Sequence, residues 1–234
     1  MEFEQPLIHG TLVNRRKRFL ADVRLDDGSL VVAHCTNSGS MKSCLEIGAE
    51  VYLSPAKSPE RKTQYTWEMI KIGGEWVGIN TSNPNIVAYQ AILDKAIPGL
   101  DIYSKATREV KFDESRLDVL AENDYEQCVI EVKNVSMKDG DFALFPDART
   151  ERGLKHLNTL IRLKKSGMRA VMLYIIQRTD VSIFAPAWDI DPDYATGLVE
   201  AEKQGVEIFP VQVSVTPEQI EIVRKLPYQL LRSK

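Results

Sequence analysis

Cysteine and long apolar runs are scarce in this chain of 234 residues. An odd number of cysteines, three in all, argues against a disulfide framework, and Cys35 and Cys44 do not have the spacing of a zinc knuckle. The longest uninterrupted apolar run, at residues 170–176, is too short to cross a bilayer. The acidic N-terminus lacks the basic start and apolar core of a signal peptide. We therefore expect a cytoplasmic protein with reduced cysteines and no membrane association.

An excess of positive charge is also missing. The formal net charge is −3, whereas dedicated nucleic-acid-binding proteins are often strongly basic. Any contact with nucleic acid must therefore use local clusters of cations. Glycine-rich loops of the GxxxxGK[ST] or GxGxxG type are absent too, which counts against a nucleotide-dependent enzyme. An enzyme acting on a sugar or another small metabolite is thus the weaker of the enzymatic alternatives.

Short apolar and β-branched segments separated by turns fill the first part of the chain. Asp26-Asp27-Gly28 and Gly73-Gly74 are typical hairpin turns. A series of short strands joined in this way indicates a small barrel, and an OB-like barrel fits the number of strands. The predicted strands are 7–14, 19–25, 30–33, 51–56, 65–72 and 76–80.

The pattern changes near Thr81-Ser82-Asn83-Pro84. Ser82 or Asn83 can cap a helix that has Pro84 in its first turn, and apolar residues then recur at helical spacing. We therefore expect an OB-like β-barrel domain at residues 1–82 and an α/β domain at 83–234, with a mixed sheet flanked by helices. In this second domain the predicted strands are 109–112, 116–120, 128–132, 169–177 and 206–213, and the predicted helices are about 150–166 and 191–204.

Charged side chains interrupt the apolar segment Val129-Ile130-Glu131-Val132-Lys133. Because side chains alternate along a strand, Glu131 and Lys133 share one face, and isolated charges are costly to bury. A cross-strand salt bridge at an edge would explain them, and so would a metal site. Asp118 lies on the preceding strand, where a turn would bring it beside Glu131. Two carboxylates, with Glu109 assisting, suit Mg²⁺ or Mn²⁺, and Lys133 would position a water or stabilise charge on a scissile phosphate.

Two groups of cations are candidates for contact with a phosphate backbone. The run of cations at residues 15–18 precedes an aromatic side chain that can stack on a base. The helix predicted to begin near residue 150 presents polar side chains opposite its leucines. An exposed loop and a solvated helix face are the plainer explanations. The predicted nucleic-acid contacts are Arg15, Arg16, Lys17, Arg18, Phe19, Arg116, Arg149, Arg152, Lys155 and His156.

Several separated motifs occur in order along the chain. They are Lys17-Arg18-Phe19-Leu20-Ala21, His34-Cys35-Thr36-Asn37-Ser38-Gly39-Ser40-Met41, Ser115-Arg116-Leu117-Asp118, Ile130-Glu131-Val132-Lys133-Asn134-Val135 and residues 145–157. Together, over roughly residues 2–225, they resemble the sugar fermentation stimulation protein A (SfsA) family. The resemblance implies an OB-like N-terminal domain and a C-terminal domain related to the PD-(D/E)xK nucleases. It also implies non-specific DNA binding and a regulatory role in sugar metabolism, chiefly that of maltose. Leu117 stands where the nuclease pattern typically has proline, which leaves the carboxylates intact.

Three functions therefore stay open. The first is a DNA-binding protein with a metal-dependent nuclease site, and the second is a DNA-binding regulatory module that keeps the nuclease fold without turnover. The third is the small-metabolite enzyme. The expected partners are DNA and a divalent cation, Mg²⁺ or Mn²⁺, and a homo-oligomer is possible.

Overall fold

The computed structural model describes residues 1–112 and 115–232; the predicted domain 83–234 therefore includes four residues outside the described ranges. Its first sheet has the strand order β3-β2-β1-β4-β5-β6. A parallel pairing of Ala33 with Tyr65 joins β3 to β5 and closes β1–β5 into a barrel, as expected for an OB-like fold. The strands are β1 (Ile8–Arg16), β2 (Leu20–Leu25), β3 (Leu30–His34), β4 (Glu50–Pro55), β5 (Tyr65–Ile72) and β6 (Glu75–Gly78).

The first hairpin differs from the prediction. Strand β1 continues to Arg16, which pairs with Leu20 of β2. Arg15 and Arg16 therefore belong to the ladder, and only Lys17, Arg18 and Phe19 form the turn. Lys17 and Arg18 both have positive φ, at 50° and 67°, which is how so short a connection reverses the chain.

The second part of the chain is a mixed sheet with helices on both faces, in the order β15-β14-β12-β9-β8-β7. The strands β9, β12 and β14 are parallel, and the others pair antiparallel. A smaller sheet has the order β10-β11-β13. The elements are α1 (Asn83–Leu93), β7 (Lys105–Phe112), β8 (Ser115–Glu122), β9 (Gln127–Val135), β10 (Met137–Asp139), β11 (Phe142–Phe145), α2 (Glu151–Lys165), β12 (Arg169–Ile176), β13 (Ile183–Pro186), α3 (Pro192–Lys203), β14 (Glu207–Val215) and β15 (Ile220–Lys225).

The central strands separate two apolar cores. Strand β12 is buried along almost its whole length, as its uninterrupted apolar sequence and its parallel neighbours require. On one face Ile130 and Val132 pack with α1, and on the other Val129 and Val135 pack with the leucines of α2 and α3. This alternation along β9 directs Glu131 and Lys133 to the side of the sheet that α2 covers.

A buried polar network lies where the two parts of the chain meet. The carboxylate of Glu68, only 4% exposed, accepts hydrogen bonds from Ser54, Asn80 and Asn83. The side chain of Gln177 donates to the backbone carbonyl of Asn80. These contacts fix the barrel against the mixed sheet, and we keep residue 82 as the proposed boundary. No helix in the described ranges is both long enough and apolar enough to span a membrane.

Candidate active site

The two predicted carboxylates lie where strands β8 and β9 separate. Their hydrogen-bonded register ends at Val119 and Ile130, so the next positions are Asp118 and Glu131. There the Asp118 side chain replaces the missing backbone partner: its Oδ2 accepts from the Val132 N–H at 2.8 Å. Its Oδ1 accepts from Asn85 Nδ2 at 2.8 Å. Asp118 is thus held from both sides, with a side chain of α1 as the second donor.

The Glu131 carboxylate has two unequal oxygens. Its side chain is only 2% exposed, and Oε1 accepts from Lys133 Nζ at 2.5 Å. The same oxygen contacts Nδ1 of His156. Oε2 is buried and has no hydrogen-bond partner within residues 1–112 and 115–232. Because an unsatisfied buried carboxylate oxygen is costly, this atom marks a place where a cation fits.

His156 is buried, although it lies on the polar side of α2, opposite the leucines. It is 5% exposed, because the polar side of α2 turns toward the sheet, where Thr159 also meets Ser115 at 2.9 Å. The Arg152 Nε–H points at His156 Nε2 at 3.4 Å. With Nε2 facing this donor, Nδ1 carries the proton and donates to Glu131. The structure thus places His156 against Glu131, and the nucleic-acid contact predicted for it stays a prediction.

The pKa values of the two carboxylates are shifted in opposite directions. Burial and the nearby charge of Glu131 raise the pKa of Asp118 to about 6, against the hydrogen bond from the Val132 N–H and the charge of Lys133. Burial also disfavours the charged form of Glu131, but its hydrogen bonds from His156 and Lys133 outweigh that effect and hold its pKa below the ordinary value. Such divergence between neighbouring acids is typical of functional sites.

The raised pKa of Asp118 predicts a pH dependence of stability without metal. Since the folded pKa, about 6, lies above the unfolded value near 3.8, the folded state binds the proton more tightly between these pH values. The stabilisation that protonated Asp118 gives the folded state is fully present below pH ~4 and is lost as pH rises through 6. Relative to Asp118→Asn, we expect the wild type to lose about 2 kcal/mol of unfolding free energy over this range, allowing for partial exposure. Urea denaturation of both proteins in EDTA measures the loss, and a constant difference between them would contradict the assignment.

Glu109 lies close in register but is turned elsewhere. The flanking pairs Arg108–Val119 and Val110–Leu117 place it across from Asp118. Its φ of 58° is in the left-handed region, and its carboxylate, 55% exposed, pairs with the Arg116 guanidinium. In the described parts of the chain no three His, Cys, Asp or Glu side chains form a metal-binding group. The structure therefore brings together Asp118, Glu131 and Lys133, and leaves Glu109 and Arg116 paired with each other.

The predicted cations of the barrel divide into two kinds. Arg15 donates from Nη2 to the carbonyl oxygens of Asn37 at 2.7 Å and Gly39 at 3.1 Å, so it supports a loop. Arg16 is paired with Asp22 at 2.5 Å. The turn residues Lys17, Arg18 and Phe19 are exposed, as are Arg149, Arg152 and Lys155 at the start of α2.

One participant was missed by the sequence interpretation. Asn85 orients Asp118 from the first turn of α1, and only its place just after the domain boundary could have drawn notice. His156 was predicted as a nucleic-acid contact beside the carboxylates, and its contact with Glu131 was not predicted.

Comparison with known proteins decides the family. The family model described as "Sugar fermentation stimulation protein RE domain" matches residues 82–219, and the one described as "SfsA N-terminal OB domain" matches residues 13–79. The chain belongs to the sugar fermentation stimulation protein family. The family's homolog from Geobacter metallireducens is 46% identical over 97% of this chain and 99% of its own length. The homolog from Paramagnetospirillum magneticum is 45% identical over 98% of both chains.

A solved SfsA structure has the same architecture. The structure described as Pyrococcus furiosus SfsA in complex with Ca²⁺ matches with a TM-score of 0.88 and 29% identity, over 98% of each chain. The expected fold, an OB-like barrel followed by a nuclease-like mixed sheet flanked by helices, is confirmed. The resemblance carried by the separated sequence motifs is confirmed as well.

Proposed function

We propose that this SfsA-family protein binds DNA and hydrolyses its phosphodiester bonds at the site formed by Asp118, Glu131 and Lys133. The observation that carries the proposal is the buried, unpartnered Oε2 of Glu131, on the strand next to the oriented carboxylate of Asp118, whose pKa the charge of Glu131 raises. These oxygens suit a hard divalent cation, Mg²⁺ or Mn²⁺. The relative from P. furiosus was solved with Ca²⁺, which supports a cation of the same class here.

The donor set assigns a task to each side chain. Asp118 and Glu131 would hold the cation, which when bound supplies Lewis-acid stabilisation of charge on a phosphate. Asn85 and the Val132 N–H fix the orientation of Asp118. Lys133, with its side chain 15% exposed, reaches solvent from this cluster. Its ammonium would orient an attacking water and stabilise negative charge developing on the phosphate.

The exposed cations support contact with a DNA backbone. Lys17 and Arg18 project from the first hairpin turn, and Arg149, Arg152 and Lys155 lie at the start of α2, which also carries His156 of the site. Contacts of this kind read phosphates and carry little sequence information. We therefore propose binding that depends weakly on sequence.

A second candidate function has an observation in its favour. Because Glu109 is bound by Arg116, the site has two acidic side chains where a third was expected, and this favours a binding module without turnover. The relatives are named for the stimulation of sugar fermentation. In this reading the DNA binding would serve regulation of sugar metabolism, chiefly that of maltose.

One experiment tests the proposed function and separates it from the second candidate. Purified protein is incubated with duplex, single-stranded and branched DNA in Mn²⁺, Mg²⁺ or EDTA, and binding is measured in EDTA over a range of salt. We expect cleavage with the cations and none with EDTA, and an affinity that falls steeply with salt because phosphate contacts release counterions. Binding without cleavage of any DNA form would replace the nuclease by the binding module. An affinity independent of salt would contradict backbone-directed binding.

A further inference from the structure

A polar cleft of about 440 Å³ lies between the barrel and the second domain, at the carboxyl end of the strand that carries Glu131 and Lys133. We propose that this cleft holds a single DNA strand, so that the substrate of the site is single-stranded DNA or a single-stranded region of a longer molecule. This inference rests on the proposed function, because it takes DNA as the substrate. The side chains that carry it are Arg18, Asn37 and Ser38 of the barrel, and Asn134, Asp147 and Arg149 of the second domain.

The cleft leads toward the catalytic strand. Asn134 follows Lys133 directly on β9, close to the carboxyl end of that strand. In α/β sheets the crevice beyond the carboxyl ends of parallel strands is the usual ligand site, and β9 and β12 are parallel here. On the other wall, Arg149 and Thr150 continue into α2, which presents His156 to Glu131. A DNA strand that extends beyond the cleft past Asn134 would therefore continue toward the strand and helix that carry Glu131, Lys133 and His156.

The walls of the cleft are rigidly built. Arg15 holds the Asn37–Gly39 loop through two backbone carbonyls. Asp147 lies so close to Gly39 that a Cβ added there would be 1.8 Å from its Oδ2, so a larger residue at position 39 would displace this carboxylate. Arg178, 1% exposed, bonds the Ser136 carbonyl at 2.7 Å and connects to Ser43 of the barrel. The cleft is thus preformed, as ligand sites usually are.

The size and chemistry of the cleft select one strand over a duplex. Its volume is at the lower end of small-molecule sites, which span roughly 300–1,000 Å³, and a base-paired helix cannot enter it. Each domain supplies one cation, Arg18 or Arg149, against the single lining carboxylate of Asp147. Because Asn134 Oδ1 accepts from Gln177 at 2.7 Å, its amide N–H groups are oriented as donors. Cations for phosphates and amides for base edges are the groups that single-strand sites combine.

Paired substitutions test the role of the two arginines. Fluorescence anisotropy in EDTA compares a labelled oligothymidylate with a blunt duplex, so that binding is measured without cleavage. In Arg18→Ala/Arg149→Ala we expect the single-strand affinity to fall about tenfold or more, and the salt slope to decrease by roughly 0.7 for each phosphate that the protein no longer binds. The charge-matched control is Lys62→Ala/Lys203→Ala, two exposed cations outside the cleft, which should weaken binding much less. Arg18→Lys/Arg149→Lys should keep most of the salt slope.

A neutral block of the cleft completes the test. Ser38→Leu places an apolar side chain in the cleft without changing charge, and Ser58→Leu adds the same group to another exposed loop of the barrel. We expect Ser38→Leu to weaken single-strand binding and leave duplex binding unchanged, and Ser58→Leu to change neither. The inference would be overturned if Arg18→Ala/Arg149→Ala and Ser38→Leu both left the single-strand affinity unchanged. Equal losses of affinity for single strand and duplex in these variants would also overturn it. If the wild type binds duplex alone, the cleft inference fails and the proposed function stands, whereas binding of no DNA form contradicts the proposed function itself.

Discussion

Removing either Asp118 or Glu131 is expected to abolish cation binding and DNA cleavage together, whereas removing Lys133 should lower the cleavage rate and leave cation binding largely intact. Asp118→Ala and Glu131→Ala each take away one of the two carboxylates that would hold the cation. Lys133→Ala removes an ammonium, which is not a ligand for a cation, so cation binding should stay largely intact. Its cleavage rate should fall by ~10²-fold or more, since positioning a water and stabilising charge each contribute on that scale. DNA affinity in EDTA should barely change, because Lys133 is one of several cations that bind phosphates.

Titration calorimetry with Mn²⁺ and single-turnover cleavage assays measure the two effects separately. Glu122→Gln is the matched control, because it removes a carboxylate from the same strand as Asp118, where Glu122 is bound by Lys105 and Gln127. Mn²⁺ binding that persists in an Asp118→Ala/Glu131→Ala double variant would remove this site from consideration. Glu109→Gln tests the predicted third ligand: a loss of Mn²⁺ affinity as large as that of Asp118→Ala would show that Glu109 turns inward when the cation binds.

The carboxylate and lysine group could be predicted because it depends on local rules. Alternation along a strand places Glu131 and Lys133 on one face, and one short turn places Asp118 on the neighbouring strand. The number of strands predicted a small barrel but not the strands that close it, because the pairing of Ala33 with Tyr65 joins residues far apart in sequence. No local pattern specifies which distant edges meet.

The remaining parts of the site depend on how elements pack. Helical spacing shows that Arg152 and His156 share a side of α2, but not that this side faces the sheet. Arg15 looks like its neighbours in sequence, yet its position in the ladder directs it to the carbonyls of the loop at Asn37. For Glu109, a left-handed backbone conformation turns the side chain to Arg116, and no residue type in the segment predicts this conformation. In each case a tertiary contact decides between two local alternatives.

His156 is expected to act on the cation through Glu131 rather than on DNA. Its Nδ1 and the ammonium of Lys133 both occupy Oε1 of Glu131, which leaves Oε2 as the free oxygen. His156→Ala releases one of these contacts and allows the carboxylate to rotate. Partners that orient a metal ligand typically contribute 10- to 100-fold in affinity, so we expect Mn²⁺ affinity to fall by about that factor. DNA affinity in EDTA should not change, because the ring is buried.

The conservative variant separates positioning from packing. In His156→Gln the amide N–H can donate to Glu131 and the amide oxygen can accept from Arg152, so most of the Mn²⁺ affinity should return although the ring is absent. Arg152→Ala removes only the outer contact, at 3.4 Å from His156, and should change the Mn²⁺ affinity far less than His156→Ala. Calorimetry on the four proteins, with urea denaturation to compare their stability, measures the series. Equal losses of Mn²⁺ affinity in the alanine and glutamine variants would mean that the ring acts by packing. A fall in DNA affinity in EDTA would instead return His156 to the DNA contacts, since no effect through Glu131 operates when the cation is removed.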